Sequence, residues 1–236
     1  MMEHLWMKKA GCKSMSARKT KPLSIKKAVK YLRQSDPELI PLLDAFKIKD
    51  LHPEIDYFKS LTRSIVYQQL SGKAAKTISD RFILLYKDKS YPTPVDVINT
   101  NHKKLRSVGL SNSKAQYIKN IAHAFLEIPD TYESLEKMDD QNIIDTLITI
   151  KGVGPWTVQM FLMFTLNRPD VFPVTDLGVQ KGFQHYYKLS EMPTPGQMLK
   201  KSEQWVPYRT VVSLYFWRLL DCLLYTSDAA DEGLGV

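Results

Sequence analysis

The residue whose type and setting most invite chemistry is Asp176, a single acid in an apolar, proline-bounded segment that reads FPVTDLGV at 172–179. An ionised carboxylate in such surroundings can stabilise positive charge that develops on a bound substrate. The same residue can cap a helix that begins at Leu177, and spacing alone favours that structural role. Thr175 could provide the cap instead, and the Asp176 carboxylate would then be free for chemistry.

A tight glycine turn, KGVGP at 151–155, precedes this acid and lies between two apolar stretches. Glycine permits positive φ and close approach of another backbone, and proline at the first helical position sacrifices no hydrogen bond. A helix N-terminus that opens outward in this way binds a phosphate diester without sequence preference. A plain corner between two helices is the alternative interpretation. The amides that would face the phosphate are those of Gly152, Gly154 and Trp156 or Thr157.

Charge is distributed unevenly along the 236 residues. The net charge is +8, but residues 221–236 hold four acids and no base, so the first 220 residues carry +12. This balance favours a polyanionic partner, most simply nucleic acid, over a basic surface without a partner. The basic segment 1–22 lacks apolar periodicity and is predicted to be a disordered arm. Contact with DNA, a nuclear address and an upstream extension are alternative roles for that arm.

Cysteine and histidine usage argues against several classes of site. The two cysteines, Cys12 and Cys222, are far apart and predict neither a disulfide framework nor a cysteine-rich zinc or iron–sulfur site. None of the five histidines has an acid or a cysteine at ligand spacing, which argues against a catalytic metal. No apolar run has membrane-spanning length and the start lacks a secretory core. We therefore expect an intracellular monomer that does not contact membranes.

Apolar residues recur with helical spacing and no strand hairpin is evident, so the sequence predicts an all-α fold. A turn at Gly109 repeats the helix–glycine–helix plan of the turn at Gly152. After Leu220 the helical pattern gives way, and we interpret residues 222–236 as a non-native tail. The longer predicted helices cover about 56–70, 73–86, 105–126 with the Gly109 turn inside it, 141–150, 155–166, 176–187, 196–204 and 207–220.

These motifs resemble those of the helix–hairpin–helix (HhH-GPD) superfamily of DNA base-excision glycosylases. The resemblance rests on KGVGPWT at 151–157 and PVTD at 173–176, and it is strongest to the 3-methyladenine DNA glycosylase II group. Three more stretches agree in order: SIVYQQLS at 64–71, GLSNSKA at 109–115, and Tyr208-Arg209 with Trp217. The similarity covers roughly residues 24–220.

The resemblance implies two helical lobes with a DNA cleft between them. Residues 58–168 would form the lobe with the hairpin, and residues 23–57 with 169–221 would form the lobe with the catalytic acid. The implied activity is that of a monofunctional base-excision repair glycosylase. Such an enzyme flips alkylated purines of the 3-methyladenine and 7-methylguanine type out of duplex DNA and releases them by hydrolysis. It would act in the cytoplasmic nucleoid of a bacterium or in the nucleus of a eukaryote.

Residue roles follow from the same resemblance. Asp176 matches the catalytic aspartate, Trp156 and Trp217 match the aromatic lining of the base pocket, and Met160 stands where some members have tyrosine. The matching DNA contacts are a minor-groove wedge at Gln69, Leu70 and Ser71, and the hairpin residues Gly152, Val153, Gly154 and Thr157. Lys114 and Lys151 are candidate phosphate contacts. The carbonyls of Ile148, Ile150 and Val153 match positions that hold a structural monovalent cation, Na⁺ or K⁺.

Two departures from other branches narrow the expected activity. Strand-cutting members carry a lysine where this chain has Trp156, so Schiff-base chemistry is not expected. The two cysteines are too few for the four-cysteine iron–sulfur cluster of other branches, and no cofactor is expected for catalysis. A non-catalytic helix–hairpin–helix DNA-binding module remains an alternative, as does a glycosylase for another damaged base such as hypoxanthine or uracil.

Overall fold

The computed structural model describes residues 22–70, 72–86 and 89–232, with side chains throughout except at Glu133 and at 224–232. The predicted arm at 1–22 lies outside the described residues apart from its last residue, and Ser71 of the predicted wedge also lies outside them. Within the described part of the chain, no helix combines the length and apolar character needed to cross a membrane.

The predicted all-α class is confirmed. Outside the helices, an isolated antiparallel bridge joins Leu23 to Leu51, and the described residues contain no longer strand. The first helices are α1 (Ile25–Ser35), α2 (Ile40–Ala45), α3 (Tyr57–Tyr67), α4 (Gly72–Leu84), α5 (Pro94–Asn99), α6 (His102–Ser107) and α7 (Asn112–Glu127). The later ones are α8 (Pro129–Glu133), α9 (Asp140–Ile148), α10 (Pro155–Phe164), α11 (Leu177–Tyr186), α12 (Pro195–Ser202) and α13 (Arg209–Glu232).

The structure differs from the predicted helices in two places. The helix α8 was not predicted, because its five residues are too short to show a periodic pattern. The expectation that helix ends near Leu220 was wrong, since α13 continues to Glu232. Between Leu220 and Gly233 the chain has neither proline nor glycine, so no residue there breaks the helix. The interpretation of residues 222–236 as a non-native tail stays a prediction.

The buried side chains form two hydrophobic clusters. The first cluster is built from α3 to α10 and its members run from Tyr57 to Val171. The second cluster combines α1 and α2 with α11 to α13, and it includes Leu32, Phe172 and Trp205. Burial of apolar area in each cluster supplies its main stabilising free energy. The boundaries of the two lobes remain a prediction. They can be compared with the residues that make up these two clusters.

A polar joint links the two clusters where the chain passes between them. The guanidinium of Arg209, at the start of α13, makes two parallel hydrogen bonds of 2.7 Å to the Asp170 carboxylate. The hydroxyl of Thr210 donates to the carbonyl of Arg168 at 2.7 Å and accepts from the amide of Val171 at 2.9 Å. Bidentate arginine–carboxylate pairs fix orientation as well as distance. The start of α13 is therefore held against the end of the first cluster.

Candidate active site and DNA-facing turns

Asp176 caps a helix and also accepts hydrogen bonds from the two tryptophans predicted for the base pocket. Its Oδ1 accepts the amide of Val179 at 2.9 Å, which makes Asp176 the N-cap of α11. The indole of Trp217 donates to Oδ1 at 2.8 Å and that of Trp156 donates to Oδ2 at 2.6 Å. The alternative cap, Thr175, is exposed and does not fill that position. Capping and charge placement are therefore combined in one carboxylate rather than being alternatives.

Glycines on α11 allow α13 to bring Trp217 this close. A Cβ at Gly178 would lie 2.8 Å from Cδ1 of Trp217 and 3.1 Å from Oδ1 of Asp176. A Cβ one turn later, at Gly182, would lie 2.5 Å from the carbonyl oxygen of Phe216. Contacts this short require that something shift, so the close approach of α13 depends on the missing side chains. The sequence motif around Asp176 thus includes Gly178 for a steric reason.

A cavity of about 390 Å³ is linked to this carboxylate through Trp156, which lines the cavity and donates to Asp176. Its volume is typical of a site for one small organic group. The α10 wall consists of Trp156, Met160 and Phe164, whereas the α3 wall is largely polar. The ring of Phe164 stacks on Trp217, with ring centres 5.9 Å apart and planes inclined by 29°. Of the three predicted pocket residues, Trp156 and Met160 line the cavity, and Trp217 backs its Phe164 wall.

The polar wall of the cavity carries charges of both signs. Glu54 accepts a hydrogen bond from the ammonium of Lys59 at 2.7 Å and another from the amide of Ile55 at 3.0 Å. Burial raises the pKa of Glu54, but hydrogen bonds, led by the one from Lys59, outweigh burial and leave that pKa below its usual value. The guanidinium carbon of Arg63 lies 5.2 Å from the centre of the Tyr67 ring. An ionised acid and two cations therefore face this space.

The glycine turn before α10 is braced from α7. Gly152 has φ of +108°, and a Cβ there would fall 2.2 Å from Cγ of Tyr117. The side-chain amide of Asn120 donates to the carbonyl of Lys151 at 2.9 Å. The Lys151 side chain itself is exposed. Glycine is therefore required at 152 on two grounds, its backbone angle and the ring packed against it.

The second glycine of the turn leaves the start of α10 open. Gly154 is the N-cap residue and has no side chain with which to cap. A Cβ at this position would meet nothing within 4 Å. The first amides of a helix lack intrahelical acceptors and carry partial positive charge. The start of α10 at Gly154 is therefore open and could bind an anion. Val153 and Lys151 lie just before it in the chain.

The side chain of Thr157 is buried and makes a hydrogen bond inside the protein. It is only 1% exposed, and its hydroxyl accepts from the side-chain amide of Gln68 at 2.9 Å. Its backbone amide lies in the first turn of α10 and is the part that can face a phosphate. The residues after Gln68 project outward: Gln69 is exposed with φ of +53°, and Leu70 is 39% exposed.

Lys114 is directed at backbone rather than at open solvent. Its ammonium donates to the carbonyl of Val66 at 2.9 Å and to that of Gln68 at 2.7 Å. Its predicted contact with a DNA phosphate stays a prediction, because an ammonium has three donors and two are used here. Partial burial lowers the pKa of Lys114, as expected when an ammonium leaves water.

The three carbonyls predicted to hold a monovalent cation surround the same turn. Ile148 is the last residue of α9, whose final carbonyls have no intrahelical partners. The Ile150 carbonyl accepts the amide of Val153 at 2.9 Å and keeps a second lone pair. Neutral carbonyl oxygens suit an alkali-metal ion, so the residues present fit such a group. Within the described residues, no cluster of three or more His, Cys, Asp or Glu side chains is arranged for a metal.

Several cavity residues were not anticipated from the sequence. Phe164 lies eight residues after Trp156 and four after Met160, which places all three along one face of α10. On α3, Lys59, Arg63 and Tyr67 show the same spacing of four residues. That repeat was a readable signal for a shared face. Nothing in the sequence, however, indicated that the two faces meet.

Comparison with known proteins shows the family to which the chain belongs. The family model of HhH-GPD superfamily base excision DNA repair proteins matches residues 62–208. DNA-3-methyladenine glycosylase 1 of Schizosaccharomyces pombe is 36% identical over 171 residues, which represent 72% of this chain and 75% of that protein. The DNA-3-methyladenine glycosylase of Saccharomyces cerevisiae is 30% identical, and the match covers 81% of this chain and 78% of that protein.

A solved structure extends the likeness to the fold. The S. pombe 3-methyladenine DNA glycosylase in complex with abasic DNA matches with a TM-score of 0.74 and 32% identity, covering 81% of this chain and 95% of that one. The family resemblance inferred from the glycine turn and the Pro-Val-Thr-Asp motif is thereby confirmed. The protein is a member of the HhH-GPD superfamily of base excision DNA repair proteins.

Proposed function

We propose that this protein is a DNA-3-methyladenine glycosylase of the type II group, which hydrolyses the N-glycosyl bond of alkylated purines in duplex DNA. The observation that carries the proposal is the Asp176 carboxylate, held by two indoles and a helix amide, with one of those indoles, Trp156, also lining a partly aromatic cavity. The names of the relatives support the same substrate class.

The cavity suits a base that has left the DNA stack. Trp156, Met160 and Phe164 provide an apolar and aromatic surface on which a purine can rest. An alkylated purine carries positive charge, and a ring face attracts such a cation by about 0.5–2 kcal/mol. The ionised Glu54 adds an acceptor to the opposite wall. A base that is already cationic is a good leaving group and needs no strong general acid.

Asp176 would act on the sugar. As the bond between base and sugar breaks, both bonding electrons leave with the base and the sugar becomes a cation. Fixed negative charge next to that centre lowers the barrier without reorganisation. Water then adds to the sugar carbon and loses one proton to solvent. Because both Asp176 oxygens already accept hydrogen bonds, from Trp217 and from Trp156, the carboxylate enters this step in a fixed orientation.

The DNA would be held at two places. The open amides at Gly154 and the first turn of α10 would bind the backbone phosphate, with Lys151 beside them. A structural Na⁺ or K⁺ on the Ile148, Ile150 and Val153 carbonyls would supply further positive charge there. The outward segment at Gln69 and Leu70 would fill the gap left by the flipped base. A monomer suffices for these contacts, and the protein would act wherever the DNA lies, in a nucleoid or a nucleus.

We further propose that the enzyme does not cut the DNA strand. The two residues after Gly154 are Pro155 and Trp156, and neither has an amine that could form a Schiff base with the sugar. Borohydride reduction during reaction with lesion DNA should therefore trap no covalent complex. A trapped complex at a stoichiometry comparable to a known lyase would contradict this part of the proposal.

The replacement Asp176→Asn tests the activity. Asparagine caps helices as well as aspartate does, so the start of α11 should persist. The negative charge is lost, and release of 3-methyladenine from methylated DNA should fall by about a hundredfold or more. Duplex binding, measured by fluorescence anisotropy, should change little.

Thr175→Ala is the matched control, because Thr175 is the exposed neighbour of Asp176 and should be neutral for both readouts. Equal release by parent and Asp176→Asn would refute the catalytic assignment. Binding without release of any damaged base by the parent would favour the DNA-binding module. Release of hypoxanthine or uracil alone, from a panel of single-lesion duplexes, would redirect the substrate class.

A further inference from the structure

The C-terminus of α3 ends at the segment that would enter the DNA. Its last carbonyls have no partners within the helix. Lys114, from the first turn of α7, donates to two carbonyls there, those of Val66 and Gln68. A cation at this end of a helix is also favoured by the helix dipole. Lys114 therefore satisfies carbonyls at the point where α3 stops.

The residue after these carbonyls has an unusual backbone. Gln69 has φ of +53°, a region that residues other than glycine rarely adopt. Such a strained conformation persists where surrounding contacts hold it. Two described contacts hold the residue just before Gln69: Lys114 donates to the Gln68 carbonyl, and the Gln68 side chain donates to Thr157.

These contacts connect the cavity wall, the projecting segment at Gln69 and Leu70, and the proposed phosphate site. Gln68 connects the segment to α10, whose start is the proposed phosphate site. Arg63 and Tyr67, in the final turns of α3, line the cavity that would take the base. Lys114 thus lies at the joint between cavity wall, projecting segment and phosphate site, although it lines no part of the cavity.

We propose that Lys114 is a positioning residue that holds Gln69 and Leu70 in the one backbone shape that can be inserted into duplex DNA. This inference rests on the proposed glycosylase function. The alternative role, a direct phosphate contact, makes different predictions. A lost phosphate contact weakens binding and lowers the dependence of log K on log salt by about 0.9. A lost positioning contact leaves that slope unchanged and impairs base flipping.

The variant Lys114→Met tests the proposal, with Lys119→Met as the matched control. Lys119 is on the same helix, and its ammonium also donates to a carbonyl, that of Ile98 at 3.3 Å, which belongs to α5 and not to the end of α3. Two duplexes are compared, each with one 7-methylguanine, placed opposite cytosine in one and opposite an abasic site in the other. Only the first requires a base pair to be opened.

In single-turnover reactions, Lys114→Met should release 7-methylguanine opposite cytosine about tenfold more slowly than the parent. Release opposite the abasic site should be much less affected, and Lys119→Met should match the parent on both. An equal defect on the two duplexes would overturn the proposal, and so would an unchanged rate on both. A salt slope reduced by about 0.9 with normal flipping would assign Lys114 to phosphate binding instead.

A second readout separates this inference from the proposed function. The fluorescence of 2-aminopurine next to a tetrahydrofuran abasic site reports insertion of a side chain without any cleavage. Parent protein should raise that fluorescence and Lys114→Met should not. If the parent released no base at all, the glycosylase proposal would fail and this signal would still decide the role of Lys114.

The conservative variant Lys114→Arg guards against misfolding. Arginine keeps the charge and several donors, so it should fold as the parent does, as checked by thermal unfolding. Its longer, planar group cannot reproduce both carbonyl contacts, and its flipping defect should lie between those of parent and Lys114→Met. If Lys114→Met unfolded and Lys114→Arg kept full activity, the role of Lys114 would be purely structural. That outcome would contradict the proposal.

Discussion

The turns at Gly109 and at Gly152 are built on the same backbone plan and end differently. Their φ angles are +107° and +108°, and each joins a short helix to a longer one. After the first turn, Ser111 caps α7 with its hydroxyl, which accepts the amide of Lys114 at 3.2 Å. After the second, the cap position is Gly154, which offers no side chain. The first helix start is satisfied from within, and the second is left for an external anion.

The helix that follows the Gly109 turn also supports the Gly152 turn. Tyr117 and Asn120, on the helix that follows the first turn, support the second turn at Gly152 and at the Lys151 carbonyl. The first turn therefore positions a brace, and the second presents amides. The two turns thus differ in the cap that follows them, a serine side chain after the first and none after the second, while the φ angles of their glycines are nearly equal.

The largest effect should come from adding a methyl group to each turn. Gly152→Ala combines unfavourable φ with a clash against the Tyr117 ring, and we expect a loss of about 3 kcal/mol in the free energy of unfolding. Gly109→Ala has the same φ, but its Cβ meets the Ile78 side chain at 3.0 Å, which can move. A loss of about 1–2 kcal/mol is expected there. Urea titration measures both, and equal losses would contradict the contrast.

An intermediate effect should follow from exchanging the two caps. Gly154→Ser adds a hydroxyl that can bond the first amides of α10, so the helix should gain a few tenths of a kcal/mol while duplex affinity falls about tenfold. The salt slope should be unchanged, because no cation is lost. Ser111→Gly should lose a few tenths of a kcal/mol and bind as the parent does. Anisotropy that shows tighter binding by Gly154→Ser would exclude the amides as a phosphate site.

The smallest effect should come from cutting the link between the turns. Asn120→Ala removes a partly exposed hydrogen bond to the Lys151 carbonyl, and we expect about 0.5 kcal/mol or less in stability. Duplex affinity should fall by about two- to threefold as the turn loses part of its support. Ser113→Ala, at an exposed position in the first turn of the same helix, serves as the control. A larger affinity loss in the control would show that the Asn120 bond does not brace the turn.

The sequence predicted well whatever depends on local pattern. Helical periodicity indicated the all-α class and most helix boundaries, and the glycine turn and Asp176 stood out by residue type. The two roles weighed for Asp176 were treated as alternatives because a linear sequence cannot show that one carboxylate has room for three donors. Thr175 was the other candidate for the cap, and the structure gives that position to Asp176.

Features that arise from packing were not predictable. Glu54 and Phe164 line the same cavity although they are 110 residues apart, and neither is unusual in its own segment. The partner carbonyls of Lys114 lie 46 and 48 residues earlier in the chain. The ring beneath Gly152 comes from Tyr117 on another helix. Such pairs are set by how helices cross, and a single sequence contains no record of those crossings.

The setting of Asp176 has a consequence for motion. One of its indole partners, Trp156, packs on the first cluster, and the other, Trp217, packs on both clusters. A hydrogen bond is lost beyond about 3.5 Å, so a relative slip of about 1 Å between the two halves would release one indole. The Asp176 carboxyl group is thus sensitive to the alignment of the two clusters, which the Arg209–Asp170 pair also holds. Loosening of the halves would disorder that group before either core opened, and inactivation would precede global unfolding on heating.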